Sequence, residues 1–322
     1  MDTPDDRRAS LFRLWPIVPF IAFFGFLCAR SAWLASRTPM PRETTPPEES
    51  ATVRVAALQF HSVMGDPAGN RERLAPLIER AAEGGAKIVV LPEAAVPGYA
   101  DLSTDTFWSS SDEDEEGYLR VAEVAEAVPG PSTEFFAALA RRLGVYVTVP
   151  IIERAEGGYY NAVALVSPEG EVAAVHRKHV LWPVADSFWM KEGPEEATVV
   201  ETPFGRLGLM ICRDVHALLS LMGGAGADIV LYSVAFYGPN SGDWFEVTLA
   251  GRVAEQGVSL VLANWTFPED PGWSGWGASC VISPQGKVLA RAERVPGDQV
   301  ILADVARGRP PRPADIPAER AR

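Results

Sequence analysis

Apolar positions along this chain follow two rhythms. Between residues 52 and 306, short and almost wholly apolar runs alternate with stretches in which apolar residues recur every three or four positions. The first rhythm marks buried strands and the second amphipathic helices. Residues 53–58 read as a strand, and 70–83 as a helix with Leu74, Leu77, Ile78 and Ala81 on one face, stopped by Gly84 and Gly85. A strand at 88–91, a helix at 133–143 and a strand at 145–149 follow. Strands 160–166 and 171–176 flank Ser167-Pro168-Glu169-Gly170, a hairpin signal. The run 208–212 ends in a sharp turn towards a helix; after it come a strand at 228–232, a helix at 244–255 and a strand at 258–263. Segments 280–283 and 288–290 form a second hairpin around Pro284-Gln285-Gly286. Helices interspersed with apolar strands predict an α/β fold: sheets covered by helices, with active residues at strand ends.

The two ends of the chain break this pattern. After an N-terminal tail (1–10), residues 11–35 contain a continuous apolar and aromatic stretch at 14–28. A span needs about 20 residues, and about 17 at the lower bound; residues 11–27 meet that bound if Arg13 snorkels, with Trp15 and Trp33 marking the interfaces. The segment reads as a retained single-pass anchor in preference to a cleaved signal peptide, with the following domain outside a bacterial-type cell membrane. Residues 36–51, rich in Pro, Thr and Glu, read as an extended linker, and 307–322, with prolines among arginines, as a disordered tail.

Composition narrows the function. The 322 residues are 47% hydrophobic, enough for one large catalytic domain, and the formal net charge of -13 with no basic patch argues against nucleic acid as a partner. Three cysteines, Cys28, Cys212 and Cys280, make no disulfide framework, and no Cys/His cluster has metal-ligand spacing. The acidic stretch 109–117 reads as an exposed loop near the site mouth, since contiguous carboxylates lack the geometry of a metal site. Nothing calls for a diffusible cofactor.

The candidate chemistry lies where apolar runs end. Cys212 closes Gly208-Leu209-Met210-Ile211, Glu93 follows Leu91-Pro92, and Lys178 follows the first hairpin in Val175-His176-Arg177-Lys178. Taken singly, each has a bland reading: a buried small hydrophobe, a solvated acid, a surface lysine. A thiol, a carboxylate and an ammonium at three strand ends together suggest covalent catalysis, in which Cys212 needs a neighbouring base or cation to become nucleophilic. Cys280 keeps the core assignment, and the four histidines assemble no Ser or Cys triad. His179, His216 and a set of aromatics (Trp182, Phe188, Trp189, Phe236, Tyr237, Trp244) are expected near the pocket.

Glu93, Lys178 and Cys212, in this order, resemble the Glu-Lys-Cys motifs of the carbon-nitrogen hydrolase (nitrilase) superfamily. The resemblance extends over residues 52–306 and includes Tyr160-Asn161, Phe204-Gly205-Arg206-Leu207-Gly208, Ala263-Asn264 and Gly277-Ala278-Ser279. It implies a four-layer α-β-β-α sandwich that pairs through helices into a homodimer. It also implies Glu93 as general base, Cys212 as nucleophile on an amide or nitrile carbon, and Lys178 with the backbone N–H of Arg213 as oxyanion donors. Asp186 is the match to a further family glutamate that positions substrate and water, one methylene shorter. The segment after Cys212 lacks the Pro-Glu often found there, and Arg213 is more like the amidase and carbamoylase branches than nitrilases. Hydrolysis of a small amide or carbamoyl compound is therefore expected. Acyl transfer is the alternative, because 178–186 also resembles apolipoprotein N-acyltransferases, and an inert tethered binding or dimerisation module is the non-enzymatic one.

Overall fold

Two sheets lie face to face at the centre of the computed structural model, which describes residues 52–99, 107–111, 116–183, 185–236, 244–266, 277–293 and 295–308. These fall within one compact unit, Pro47–Arg312. The expected N-terminal tail, membrane segment and linker, and the tail from residue 309, lie outside the described residues. Among the described residues no helix is long and apolar enough to cross a membrane.

The order of elements is β1 (Thr52–Gln59), α1 (Pro67–Glu83), β2 (Ile88–Val90), β3 (Phe107–Ser109), β4 (Tyr118–Arg120), α2 (Val121–Val124), α3 (Pro131–Leu143), β5 (Tyr146–Ala155), β6 (Gly158–Val166) and β7 (Val172–Arg177). The second half contains β8 (Val199–Thr202), β9 (Gly205–Ile211), α4 (Leu218–Gly224), β10 (Ile229–Ser233), α5 (Ala250–Gln256), β11 (Ser259–Ala263), β12 (Cys280–Ile282), β13 (Val288–Arg291) and β14 (Gln299–Ala306). One six-stranded sheet runs β14-β1-β2-β5-β6-β7 and the other β13-β12-β11-β10-β9-β8. Each has a parallel centre, β1-β2-β5 or β11-β10-β9, with antiparallel flanks.

Period-two alternation builds the layers. In β1, Val53, Val55 and Ala57 face the other sheet, in one apolar cluster with Val261 and Ala263 of β11. Ala56 and Leu58 face the outer helices through Leu74, Ile78 and Phe136. Met210 of β9 likewise turns outward to Leu249 and Val253. Both faces of these strands are covered, which is why they read as continuous apolar runs. The result is the expected helix-sheet-sheet-helix sandwich.

Several elements depart from the sequence expectation for local reasons. The helix expected from residue 70 starts at Pro67, because Asp66 caps it by accepting from the Gly69 N–H at 2.9 Å and proline suits the first helical position. The helix expected at 244–255 is a π-helix over Trp244–Leu249 followed by α5. Strands β3, β4, β8 and β14 were not expected; β3 and β4 pair across the acidic loop, of which 112–115 lie outside the described residues. Arg307, expected to open the tail, belongs to the fold: its Nε donates to Thr52 O at 3.1 Å and its guanidinium stacks on Phe204.

Candidate active site

The C-terminal ends of the parallel strands in both sheets open on one place. Glu93 follows β2, Lys178 follows β7 and Cys212 follows β9, and the fold brings all three together. Lys178 Nζ donates to Glu93 Oε1 at 2.7 Å, both side chains being wholly buried. On its other side Lys178 donates to Asp186 Oδ2, which also accepts from the Trp182 N–H at 2.8 Å. Asp186 thus stands as a fourth member of the cluster, held on a single 3-10 turn, Asp186–Phe188.

Glu93 is held on every side. Oε1 also accepts from Asn161 Nδ2 at 2.8 Å, and Oε2 from the Ala235 N–H at 2.9 Å, so the other sheet helps to fix it. Its carbonyl accepts from Trp265 Nε1 at 2.8 Å. Two of the accessory landmarks acquire roles here. Asn161 orients the carboxylate, and Asn264, anchored by Gly277 and Ser279, accepts from the Phe236 N–H at 2.8 Å and fixes the chain just past Ala235.

Cys212 occupies a left-handed backbone conformation, φ +42°, unusual for a residue with a Cβ. Such conformations cost about 1–3 kcal/mol and persist where the surroundings enforce them. Here the carbonyl of Cys212 accepts from the Tyr232 hydroxyl at 2.6 Å, and the following 3-10 turn, Cys212–His216, is tied down by Asp214. The strained corner sets the thiol within the electrostatic reach of Glu93 and Lys178.

Electrostatics decide the resting protonation. Burial, reinforced by the Glu93 carboxylate, pushes the Cys212 thiol well above its ordinary range, so it is a thiol and not a thiolate at neutral pH. Burial and the nearby Asp186 charge raise Glu93, against the opposing pull of Lys178. Burial alone would lower Lys178, but Asp186 and Glu93 hold its pKa well above the usual lysine value. The site therefore rests as a neutral thiol beside a basic carboxylate and a fixed ammonium.

A cavity of about 260 Å³ opens onto Cys212, walled by Tyr99, Trp182, Phe236 and Trp244, with His216 among its lining residues. The side chain of Arg213 lines it too, its guanidinium 4.9 Å from the Trp182 ring centroid. The expected aromatic wall is thus only partly realised. Trp189 packs instead with Trp108, His179 turns to Gly193 O, and Tyr237 and the side chain of Phe188 lie outside the described residues.

Sequence reasoning missed one pair altogether. His176 Nε2 lies 2.8 Å from Asp214 Oδ2, and Asp214 Oδ1 accepts from the N–H groups of His179 and Val180. The available signal was Asp214 itself, a carboxylate two residues beyond the nucleophile. Among the described residues no group of three or more His, Cys, Asp or Glu side chains could hold a metal.

The profile of the family described as Carbon-nitrogen hydrolase matches residues 54–309. An omega-amidase of Danio rerio is 28% identical over 263 residues, covering 78% of this chain and 87% of its own. Nitrilase 3 of Arabidopsis thaliana is 28% identical over 293 residues, covering 81% and 82%. The solved structure of an amidase from Nesterenkonia sp. shares the fold with a TM-score of 0.67 at 21% identity, covering 83% of this chain and 95% of that one.

Proposed function

The chain belongs to the carbon-nitrogen hydrolase family, enzymes of carbon–nitrogen bonds other than peptide bonds, and on that premise we propose that it hydrolyses a small amide through a Cys212 thioester. The observation that carries this reading is the buried network in which Lys178 Nζ donates to Glu93 at 2.7 Å and to Asp186, beside the Cys212 thiol whose pKa both Glu93 and Lys178 influence. As Sγ attacks the amide carbon, its proton passes to Glu93, so no free thiolate has to accumulate. Lys178 and the backbone N–H of Arg213 stabilise the oxyanion. Collapse of the tetrahedral intermediate breaks the C–N bond, and Glu93 returns the proton to the departing amine. Water then attacks the thioester with Glu93 again as base, releasing the acid and restoring the thiol. Asp186 keeps Lys178 charged and aimed. A glutamate-to-glutamine mutant of an amidase of the same fold shows covalent addition of the acetamide moiety of fluoroacetamide at its active-site cysteine, which supports the nucleophile assignment here.

The tether and the pairing belong to the same proposal. The apolar stretch at 14–28 supports membrane attachment, with the domain held outside by the linker. Exposed Leu221 and Val247, on the helical layer over the second sheet, support pairing through that face.

The test is intact-mass spectrometry of the protein after brief exposure to amides, carbamoyl compounds and nitriles, with Cys212→Ala as control. An acyl-sized mass gain that requires Cys212 is expected. Absence of any adduct or product, with Cys212 no more reactive than Cys280, would favour an inert module. Added amine separates the alternatives further: acyl transfer would yield a new amide, hydrolysis only the acid.

A further inference from the structure

The base and the nucleophile stand on different sheets. Glu93 follows β2 in one and Cys212 follows β9 in the other, so the distance between them depends on how the two sheets are registered at this end. Trp265, just beyond β11, sits where the sheets are stitched together. It bridges to Phe60, just past β1, and the N–H of the next residue, Thr266, donates to Phe60 O at 3.2 Å. The carbonyl of Trp265 accepts from the Gly277 N–H at 2.9 Å, and the His61 ring stands edge-on to the indole at 5.8 Å. The tryptophan is only 2% exposed and shares an apolar cluster with Ala94, Tyr99 and Ala235. From this fixed seat its Nε1 donates to Glu93 O at 2.8 Å.

That carbonyl belongs to the peptide joining Glu93 to Ala94, and Ala94 has φ +49°, a left-handed conformation rare for a residue with a Cβ. Such a conformation persists where the surroundings enforce it. Rotation of the Glu93–Ala94 peptide would relieve Ala94, and the indole bond opposes that rotation. The Glu93 N–H donates to Val234 O at a longer 3.3 Å, so the indole is the tighter tie between this backbone and the other sheet. We propose that Trp265 is a positioning residue: its indole N–H locks the strained Glu93–Ala94 peptide and so sets the general base at the distance and angle from Cys212 that proton transfer requires. This role presupposes the amidase reading, in which Glu93 is the base. Lys178, Asn161 and the Ala235 N–H aim the carboxylate, whereas the indole fixes the backbone that carries it. Donor and acceptor must meet within about 2.6–3.2 Å for the proton to pass, and a misplacement of about 1 Å costs about a hundredfold.

The experiment uses the full chain and two readouts: alkylation of Cys212 by iodoacetamide, followed by intact mass, and hydrolysis of butyramide, followed by ammonia release. Trp265→Phe keeps an aromatic ring and removes the N–H. It should slow alkylation and lower kcat by about tenfold or more, with KM changed by no more than about twofold. Trp108→Phe loses another buried indole–carbonyl bond, from Trp108 Nε1 to Gly98 O at 3.2 Å on the same loop but beyond the base. It should lower the urea midpoint comparably with a far smaller effect on either rate. Ala94→Gly, added to Trp265→Phe, removes the left-handed penalty and should restore part of both rates, which repair of packing would not explain. If Trp265→Phe does not fold, benzothienylalanine at position 265, an indole isostere with sulfur in place of the N–H, replaces it. Unchanged rates in a folded variant, a loss confined to KM, an equal loss of rate in Trp108→Phe, or no recovery with Ala94→Gly would overturn the proposal. Glu93→Gln separates it from its premise. Alkylation as fast as in the native chain would mean that Glu93 is not the base; alkylation slowed by Glu93→Gln but not by Trp265→Phe would remove the positioning role alone. If the native chain does not turn over butyramide, alkylation decides.

Discussion

His176 Nε2 and Asp214 Oδ2 meet at 2.8 Å inside the protein, and through this pair the strand that delivers Lys178 is fastened to the turn that delivers Cys212. Asp214 accepts on one oxygen from the backbone just after Lys178 and on the other from the Ile211 N–H just before Cys212. Asp214→Asn would place an amide N–H against groups that already donate. It should lower stability by about 3 kcal/mol, as breaking a buried charged partnership does, and lower kcat more than it raises KM. A urea titration with steady-state kinetics checks both; unchanged kcat in a folded variant would separate this pair from catalysis.

Glu93 raises the Cys212 pKa and is also the group positioned to take its proton. The two effects predict opposite results for Glu93→Gln. If thiolate population governed reactivity, the substitution would speed alkylation by iodoacetamide; as general base removal, it should slow alkylation and cut kcat by roughly 10²–10⁴-fold. We expect the slowing. Cys280, buried and with its thiol pushed up to about 12, should react only when the protein unfolds.

Asp186 helps to hold the Lys178 pKa high. Asp186→Asn should bring the alkaline limb of the kcat profile to lower pH, because the ammonium then loses its proton sooner, with a fall of about tenfold in kcat near neutrality. The same raised pKa gives stability that is fully present below the ordinary lysine value of 10.5 and lost as pH rises through the folded-state pKa. Asp186→Asn should therefore also shift alkaline unfolding to lower pH, measurable by circular dichroism. An unmoved alkaline limb would mean that Lys178 is not the group titrating there.

His216 has its pKa lowered from 6.5 to about 4 by burial and by Arg213 and Arg252. Below about pH 6.5 the unfolded chain takes up a proton that the folded chain refuses, so stability falls between about pH 6.5 and 4 and levels off on this account below that. The ring retains considerable exposure, which screens the effect and keeps it small. His216→Gln should flatten the acid slope of the melting temperature in this window, and an unchanged slope would assign it to carboxylates alone.

The sequence by itself determined the central strands of both sheets, the longer covering helices and the residues that end three of the strands. Period-two and period-3.6 burial are local properties, and a strand covered on both faces is a run of apolar letters. It could not supply β14, whose mixed burial and polar residues disguise it and whose partner β1 lies some 250 residues away, tied by Arg54 and Asp304. Nor could it supply the His176–Asp214 tie, or the direction of Arg213, for which only the backbone N–H was anticipated. Side-chain direction at a corner with φ +42° follows from the turn and its tethers, not from periodicity. Chain order named Glu93, Lys178 and Cys212; only the packing of the two sheets face to face decided that Glu93 and Lys178 share one buried hydrogen-bond network beside the Cys212 thiol.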